Sequence, residues 1–306
     1  MKRDFLTICD FTTKEIDSLL IRAKELKSMQ KNRIEHPALK GRTLGLLFEK
    51  QSTRTRISFE VAIIQSGGHS IYLSPNQIQM GRGEEIGDTA QVFSRYLDAI
   101  VIRTYSHHKI EEWAQYSNIP VINGLTDRHH PCQVVSDMLT IMEKKGRLRG
   151  IRIAYVGDGN NVAHSLIEGA AAMGMEIRLA SPKGYEPDKA IADKGRRLAK
   201  ETGAIVEILQ EPHDAVRDAD VVYTDVWTSM GQEGEEENRK GIFRGYQINR
   251  ELMGRAKDDA IIMHCLPAHR GEEITEEMVE SPQSVIFDQA ENRLHMQKAL
   301  LEMLMK

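Results

Sequence analysis

The chain repeats one pattern: apolar runs of four to six residues, separated by longer stretches whose apolar positions recur three and four residues apart. Runs of the first kind read as buried strands and stretches of the second kind as amphipathic helices. In the first half a helix is expected over 11–29, where Ile16, Leu19, Leu20, Ala23 and Leu26 form one face, with strands over 43–48, 69–73, 99–103 and 120–123. A helical pattern over 133–145 closes on Lys144-Lys145-Gly146, cations and then a glycine, which is the composition of a helix exit. After Gly150 come strands over 151–156, 176–180, 205–209, 221–224, 260–263 and 284–287, and a last helix over 292–306. Such alternation predicts an α/β fold of two doubly wound parallel-sheet domains with a cleft between them, the C-terminal helix packing back on the N-terminal domain. The expected boundaries are 1–146 together with 291–306 for one domain and 147–290 for the other.

Composition narrows the partner more than the fold. A length of 306 residues suits two domains, and 41% hydrophobic residues supplies a core for each. The net charge of −4 has acids and bases interspersed, so the chain carries no electrostatic footprint for nucleic acid or an anionic membrane. The start, Met1-Lys2-Arg3-Asp4-Phe5, lacks the apolar core of a signal peptide, and no apolar run approaches the roughly 18 residues of a membrane span. These features predict a soluble cytoplasmic protein acting on small molecules. Cys9, Cys132 and Cys265 are far apart, with no C-x-x-C among them, so neither a disulfide framework nor a zinc knuckle is expected. The charged run Gly234-Glu235-Glu236-Glu237-Asn238-Arg239-Lys240 reads as a solvated loop.

The chemistry gathers just beyond the carboxyl ends of the expected strands, where open α/β sheets bind ligands. Ser52-Thr53-Arg54-Thr55-Arg56 follows the strand 43–48 and starts a helix. Two arginines in a first turn oppose the helix dipole unless an anion neutralises them. Hydroxyls, free backbone N–H groups and the Arg54 fork together suit a phosphate. His129-His130-Pro131-Cys132-Gln133 follows 120–123; an imidazole and a carboxamide there suit a carbonyl or amide, and a capped helix start is the competing reading. A metal is not indicated, because no carboxylate or thiol stands at helical spacing beside the adjacent histidines. Gly157-Asp158-Gly159-Asn160-Asn161-Val162 opens like a dinucleotide fingerprint, yet Val162 replaces its third glycine and the next strand ends in Ala180-Ser181-Pro182 without a ribose-binding acid. A nicotinamide cofactor is therefore not expected, though the turn presents Asn161. Asp225-Val226-Trp227-Thr228-Ser229-Met230-Gly231 and His264-Cys265-Leu266-Pro267 follow two more strands.

In order and spacing, Ser52-Thr53-Arg54-Thr55-Arg56, His130-Pro131-Cys132-Gln133 and His264-Cys265-Leu266-Pro267 resemble the carbamoyl-phosphate motifs of the aspartate/ornithine carbamoyltransferase family. Asp225 to Gly231 and the cysteine of H-C-L-P resemble its ornithine branch, and the likeness runs from Phe5-Leu6 to the final helix. The resemblance implies transfer of the carbamoyl group of carbamoyl phosphate to the δ-amine of ornithine, giving citrulline and phosphate, in arginine synthesis or its reverse, with no cofactor and no metal. It assigns Ser52, Thr53, Arg54 and Thr55 to the phosphate. Arg103, His130, Gln133 and Arg293 fall to the carbamoyl carbonyl and amide, and Cys265 with the Leu266 backbone to the δ-amine side of the carbamoyl group. Asn161, Asp225, Ser229 and Met230 fall to ornithine's α-amino and α-carboxylate groups. Gln79 matches a position reaching a neighbouring subunit's site in a homotrimer. Three alternatives stand beside this. A sister enzyme using putrescine or an N-acylated ornithine would change the Asp225 to Gly231 stretch. A dinucleotide-dependent oxidoreductase would need the missing glycine, and a purely regulatory protein would have lost a motif residue.

Overall fold

A computed structural model of the chain describes residues 2–74, 83–228 and 233–306. Gln79, Ser229 and Met230 lie outside the described residues. The chain divides into two compact units, Met1–Leu139 with Asn292–Lys306, and Thr140–Glu291.

In the first unit the strands are β1 (Thr43–Phe48), β2 (His69–Leu73), β3 (Ala99–Arg103) and β4 (Val121–Leu125). They form a parallel sheet in the order β2-β1-β3-β4. β1, β3 and β4 are buried nearly throughout, as the continuous apolar runs require when helices cover both faces. Ile100, Ile102, Ile110, Trp113 and Val121 form much of one core cluster. Helix Thr13–Lys31 buries the predicted Ile16, Leu19, Leu20, Ala23 and Leu26 face. The end of the last helix joins this unit through Arg22 to Glu302 at 2.9 Å and Lys27 Nζ donating to Asn292 Oδ1 at 2.6 Å.

In the second unit the strands are β5 (Arg152–Val156), β6 (Glu176–Ala180), β7 (Ile205–Leu209), β8 (Val221–Thr224) and β9 (Ile261–His264). Their order is β7-β6-β5-β8-β9, again all parallel. Ala154, Val156, Val222, Ile248, Ile262 and Ile274 anchor its core. Each sheet therefore reverses its winding at one place, between β1 and β3 in the first unit and between β5 and β8 in the second. At such a switch point the connections leave in opposite directions and open a crevice at the carboxyl ends. The residues that emerge there are Phe48 and Arg103 in the first unit, and Val156 and Thr224 in the second.

Two expectations fail. No strand forms over 284–287: Ser284 makes one bridge to Ile262, Val285 N–H donates to the Ile262 carbonyl, and helix Ile286–Met305 begins at once. The run Val285-Ile286-Phe287 buries two successive side chains and exposes Phe287, which a helix entry permits and a period-two strand does not. The charged run near 234–240 is not a solvated loop but enters helix Glu236–Phe243, supported by a Glu236–Lys240 pair at 2.9 Å one turn apart. Its Arg239 is buried, because Asp158 pairs with it at 3.1 Å. No helix among the described residues is long and apolar enough to cross a membrane.

Candidate active site

In the first unit, the chain leaving β1 turns into helix Thr53–Gln65 at Ser52, whose Oγ accepts the Thr55 N–H at 3.3 Å. The two first-turn arginines then part company. Arg56 is matched by Glu60 at 2.9 Å and lies 3.8 Å over the Tyr72 ring. Arg54 is exposed, and no described carboxylate pairs with it. Arg103 ends β3 at a register shift against β4, and is buried. His130 and Gln133 arrive from the chain beyond β4, at the start of helix Pro131–Lys145.

Arg293 ties these pieces together. It is 3% exposed and reaches from helix Ile286–Met305 to donate from Nη1 to Gln133 Oε1 and from Nη2 to Thr55 Oγ1, the latter at 2.8 Å. Gln133 in turn donates to Asp137 Oδ1 at 2.8 Å, which fixes its amide with the oxygen toward Arg293. The Thr55 hydroxyl accepts from Arg293 and so keeps its own proton to donate. Burial, then Arg293, Arg103 and Arg54 in that order, holds His130 well below the ordinary imidazole range, so it is neutral near pH 7. Burial pushes the Cys132 thiol up to about 12, and its proton goes to the Asn123 carbonyl at 3.3 Å. Cys132 is a packed thiol and not a nucleophile.

In the second unit, the turn after β5 is set by Gly159. A Cβ there would lie 2.2 Å from Pro187 N, so the approach of two backbones requires glycine. Helix Asn161–Met173 follows, capped by Asn160, whose Oδ1 accepts from Val162 N–H at 2.9 Å and Ala163 N–H at 3.2 Å. With its oxygen engaged, the Asn160 amide points its NH₂ at Asp225 and donates to Oδ2 at 2.7 Å. Asp225, at the end of β8, also accepts at Oδ1 from Val226 N–H at 2.8 Å and Cys265 Sγ at 2.9 Å. The carboxylate is buried, and its donors are all neutral; no described cation pairs with it. Asn161, half-buried, stands one residue beyond Asn160 at the helix start.

Cys265 and Leu266 leave β9 in a shape held by His264. Leu266 has φ +60°, uncommon for a branched side chain, and its N–H donates to His264 Nδ1 at 2.8 Å. Because Nδ1 accepts, Nε2 carries the ring proton and donates to Glu273 at 3.0 Å. Asp225, His264 and Cys265 lie close enough for one ion. As arranged, however, both His264 nitrogens are occupied and the thiol proton is on its bond to Asp225.

The first unit thus brings Ser52, Thr53, Arg54, Thr55, Arg103, His130, Gln133 and Arg293 to the carboxyl end of one sheet. The second brings Asn161, Asp225, Cys265 and Leu266 to the carboxyl end of the other. Sequence reasoning missed Asn160, Asp137, Glu273 and Arg239, which hold these groups. Arg239 donates from Nη1 to the Trp227 carbonyl at 2.8 Å besides its pair with Asp158, fixing the segment after Asp225 to the Gly157 turn. The one local signal was the Asn160-Asn161 pair, either member of which suits a cap.

Residues 3–143 match the family pattern described as the aspartate/ornithine carbamoyltransferase carbamoyl-P binding domain, and residues 149–304 the one described as its Asp/Orn binding domain. The chain belongs to the aspartate/ornithine carbamoyltransferase family. Among curated members, the ornithine carbamoyltransferases of Anoxybacillus flavithermus and Syntrophus aciditrophicus are each 54% identical to it, over 98% and 99% of this chain and 95% and 100% of theirs. Among solved structures of the family, the ornithine carbamoyltransferase from Pyrococcus furiosus aligns with TM-score 0.97 at 52% identity, over 99% of this chain and 97% of that one. The enzyme of that name from Gloeobacter violaceus aligns with TM-score 0.90 at 48% identity, over 100% and 99%.

Proposed function

We propose that the chain is a carbamoyl-group transferase acting between carbamoyl phosphate and the δ-amine of L-ornithine, releasing L-citrulline and phosphate. The observation that carries this reading is the division of charge between the two sheet ends. One gathers Arg54, Arg103 and Arg293 around a neutral imidazole, and the other buries a carboxylate, Asp225, among neutral donors. The first matches a phosphate dianion and the second an α-ammonium group. Residues 1–146 with 291–306 take carbamoyl phosphate, and 147–290 take ornithine.

Ser52, Thr53, Arg54 and Thr55 bind the phosphate, where backbone N–H groups and the helix dipole add to the Arg54 fork. Arg103, His130 and the Thr55 hydroxyl donate to the carbamoyl oxygen, while Gln133, held by Arg293 and Asp137, receives the amide. As the free δ-amine attacks the carbamoyl carbon, charge collects on that oxygen, and each such donor stabilises it by about 3–4 kcal/mol in comparable sites. Collapse expels phosphate. A neutral His130 suits this task, because a charged imidazole beside three guanidinium groups would be expelled or deprotonated. Asp225, Asn161, Ser229 and Met230 hold ornithine's α-groups, and Cys265 with the Leu266 backbone lines the carbamoyl side. Cys265 keeps its proton on Asp225 and forms no covalent intermediate.

The enzyme works in the cytoplasm, in arginine synthesis or its reverse, as a homotrimer in which Gln79 reaches a neighbour's site. Exposed Ile57 on helix Thr53–Gln65 and Ile71 on the edge strand β2 support an interface on that side of the first unit. The deciding experiment is a citrulline assay with carbamoyl phosphate and a panel of amines. Ornithine should be preferred over putrescine, N-acetylornithine and aspartate; turnover of another amine in preference to ornithine would overturn the substrate assignment.

A further inference from the structure

In the first unit a cavity of ≈ 390 Å³ opens beside the carboxyl ends of helices Thr13–Lys31 and Thr53–Gln65. Leu26, Met29, Ile34 and Ile64 give it apolar walls, and Lys298 reaches it from helix Ile286–Met305. Lys298 is 6% exposed, and its side-chain nitrogen donates to Gln30 Oε1, a neutral acceptor. The charged groups around it do not supply a counter-ion. Arg33, Glu35 and His36 stand on the cavity wall, and Glu302, one turn along the same helix, is taken by Arg22 and His36. No described carboxylate lies within ion-pair distance of Lys298, so the cavity holds a lysine that gains little from being charged.

We propose that Lys298 is a carbamoylation site: its ε-amine adds to isocyanic acid, the small electrophile that carbamoyl phosphate releases as it breaks down, and becomes a urea. The N–C bond forms as the C=N π bond opens, and the amine proton passes to the isocyanate nitrogen, so nothing leaves and no oxidant or reductant is needed. The source of the electrophile rests on the proposed substrate; the reactivity of Lys298 does not. Three features direct the reaction here. The cavity admits a small uncharged electrophile. Gln30 orients the amine through one N–H and leaves the nitrogen lone pair free when the amine is neutral. Burial lowers the amine from 10.5 to about 8, so far more of it is the free base near neutral pH than at an exposed lysine. The product is neutral and keeps an N–H for Gln30.

The test treats the intact folded protein with potassium cyanate near neutral pH, to low extent, and maps the modified peptides by mass. Lys298 should be labelled about fivefold or more faster than the exposed Lys24 and Lys40, the larger free-base fraction outweighing the lower basicity. Relative to theirs its rate should fall above about pH 8, where its own free base no longer increases while isocyanic acid continues to give way to cyanate ion. In guanidinium-unfolded protein the preference should vanish, a control that needs no variant to fold. Equal labelling of the three lysines in the folded chain, or a preference that survives unfolding, would overturn the site. In a second arm carbamoyl phosphate replaces cyanate, and Lys298 should be labelled after a lag; labelling by cyanate alone would overturn the proposed source. Absence of citrulline formation in the assay above, with Lys298 still labelled fastest by cyanate, would count against the substrate reading and leave this site standing.

Discussion

The carboxyl ends of the two sheets are built alike and charged oppositely. Both lie at a switch point, between β1 and β3 and between β5 and β8, and both start a helix whose cap is a polar side chain, Ser52 or Asn160. At the first, guanidinium groups from three separate elements bear on one neutral imidazole. At the second, one buried carboxylate is held by an amide, a thiol and a backbone N–H. The same topology supplies a crevice in each case, and the residues placed at its rim choose the charge of the ligand. Fold alone would leave both chemistries open.

Breaking the cationic end should cost most. Arg54→Ala removes a bidentate charge-assisted contact to phosphate and is expected to lower kcat/KM for carbamoyl phosphate about 10²–10³-fold, with lysine a poor substitute because it lacks the fork. Steady-state kinetics at saturating ornithine checks this; wild-type values would remove Arg54 from the phosphate site.

At the anionic end, Asp225→Asn should raise the KM for ornithine roughly 10–100-fold and leave that for carbamoyl phosphate nearly unchanged. The substitution removes the charge and also sets an NH₂ against donors already in place at both oxygens. A smaller effect is expected from Asn160→Ala, which loses the helix cap and the Asp225 contact together. It should cost about 1 kcal/mol of stability and raise the ornithine KM a few-fold, whereas a lowered melting temperature with an unchanged KM would reduce Asn160 to a cap.

The smallest effects are in pH. With His130 held below the ordinary imidazole range, the acid limb attributable to it should lie below about pH 6.5, and Arg54→Ala, which removes the weakest of the three guanidinium influences on it, should move that limb slightly upward. The sign of the stability change follows from the same depression. The unfolded chain takes up a proton on this imidazole that the folded chain refuses, so stability is lost as pH falls through the ordinary imidazole range. An acid limb at or above that range would contradict a neutral His130.

Much of this arrangement was legible in the chain because the strands are continuous apolar runs with polar motifs directly after them. β1, β2, β3, β6, β7 and β8 have the bounds their hydrophobic runs predicted. The groups that hold the motifs were not legible, since their partners are distant in sequence. Asn160 meets Asp225 and Asp158 meets Arg239 across 65 and 81 positions, contacts that no local period encodes. For the same reason the run near 234–240 read as a loop: a charged helix and a charged loop have the same composition, and although 234–238 are exposed as expected, the burial of Arg239 against Asp158 is not encoded locally. The 284–287 run misled in the opposite direction, because a short apolar run suits a strand or a buried helix entry equally.

The opposition between the two sheet ends is tested most directly by the preference for ornithine over 5-aminopentanoate, measured as the ratio of kcat/KM values in wild type, Asp225→Asn and Arg54→Ala. 5-Aminopentanoate presents the same reacting amine and carboxylate without ornithine's α-ammonium group, so only the group that grips that ammonium should alter the ratio. The expected result is a ratio at least about tenfold lower in Asp225→Asn, and unchanged in Arg54→Ala although turnover of both amines falls. A ratio preserved in Asp225→Asn, or one that collapses in Arg54→Ala, would contradict the assignment of the two substrates to the two ends.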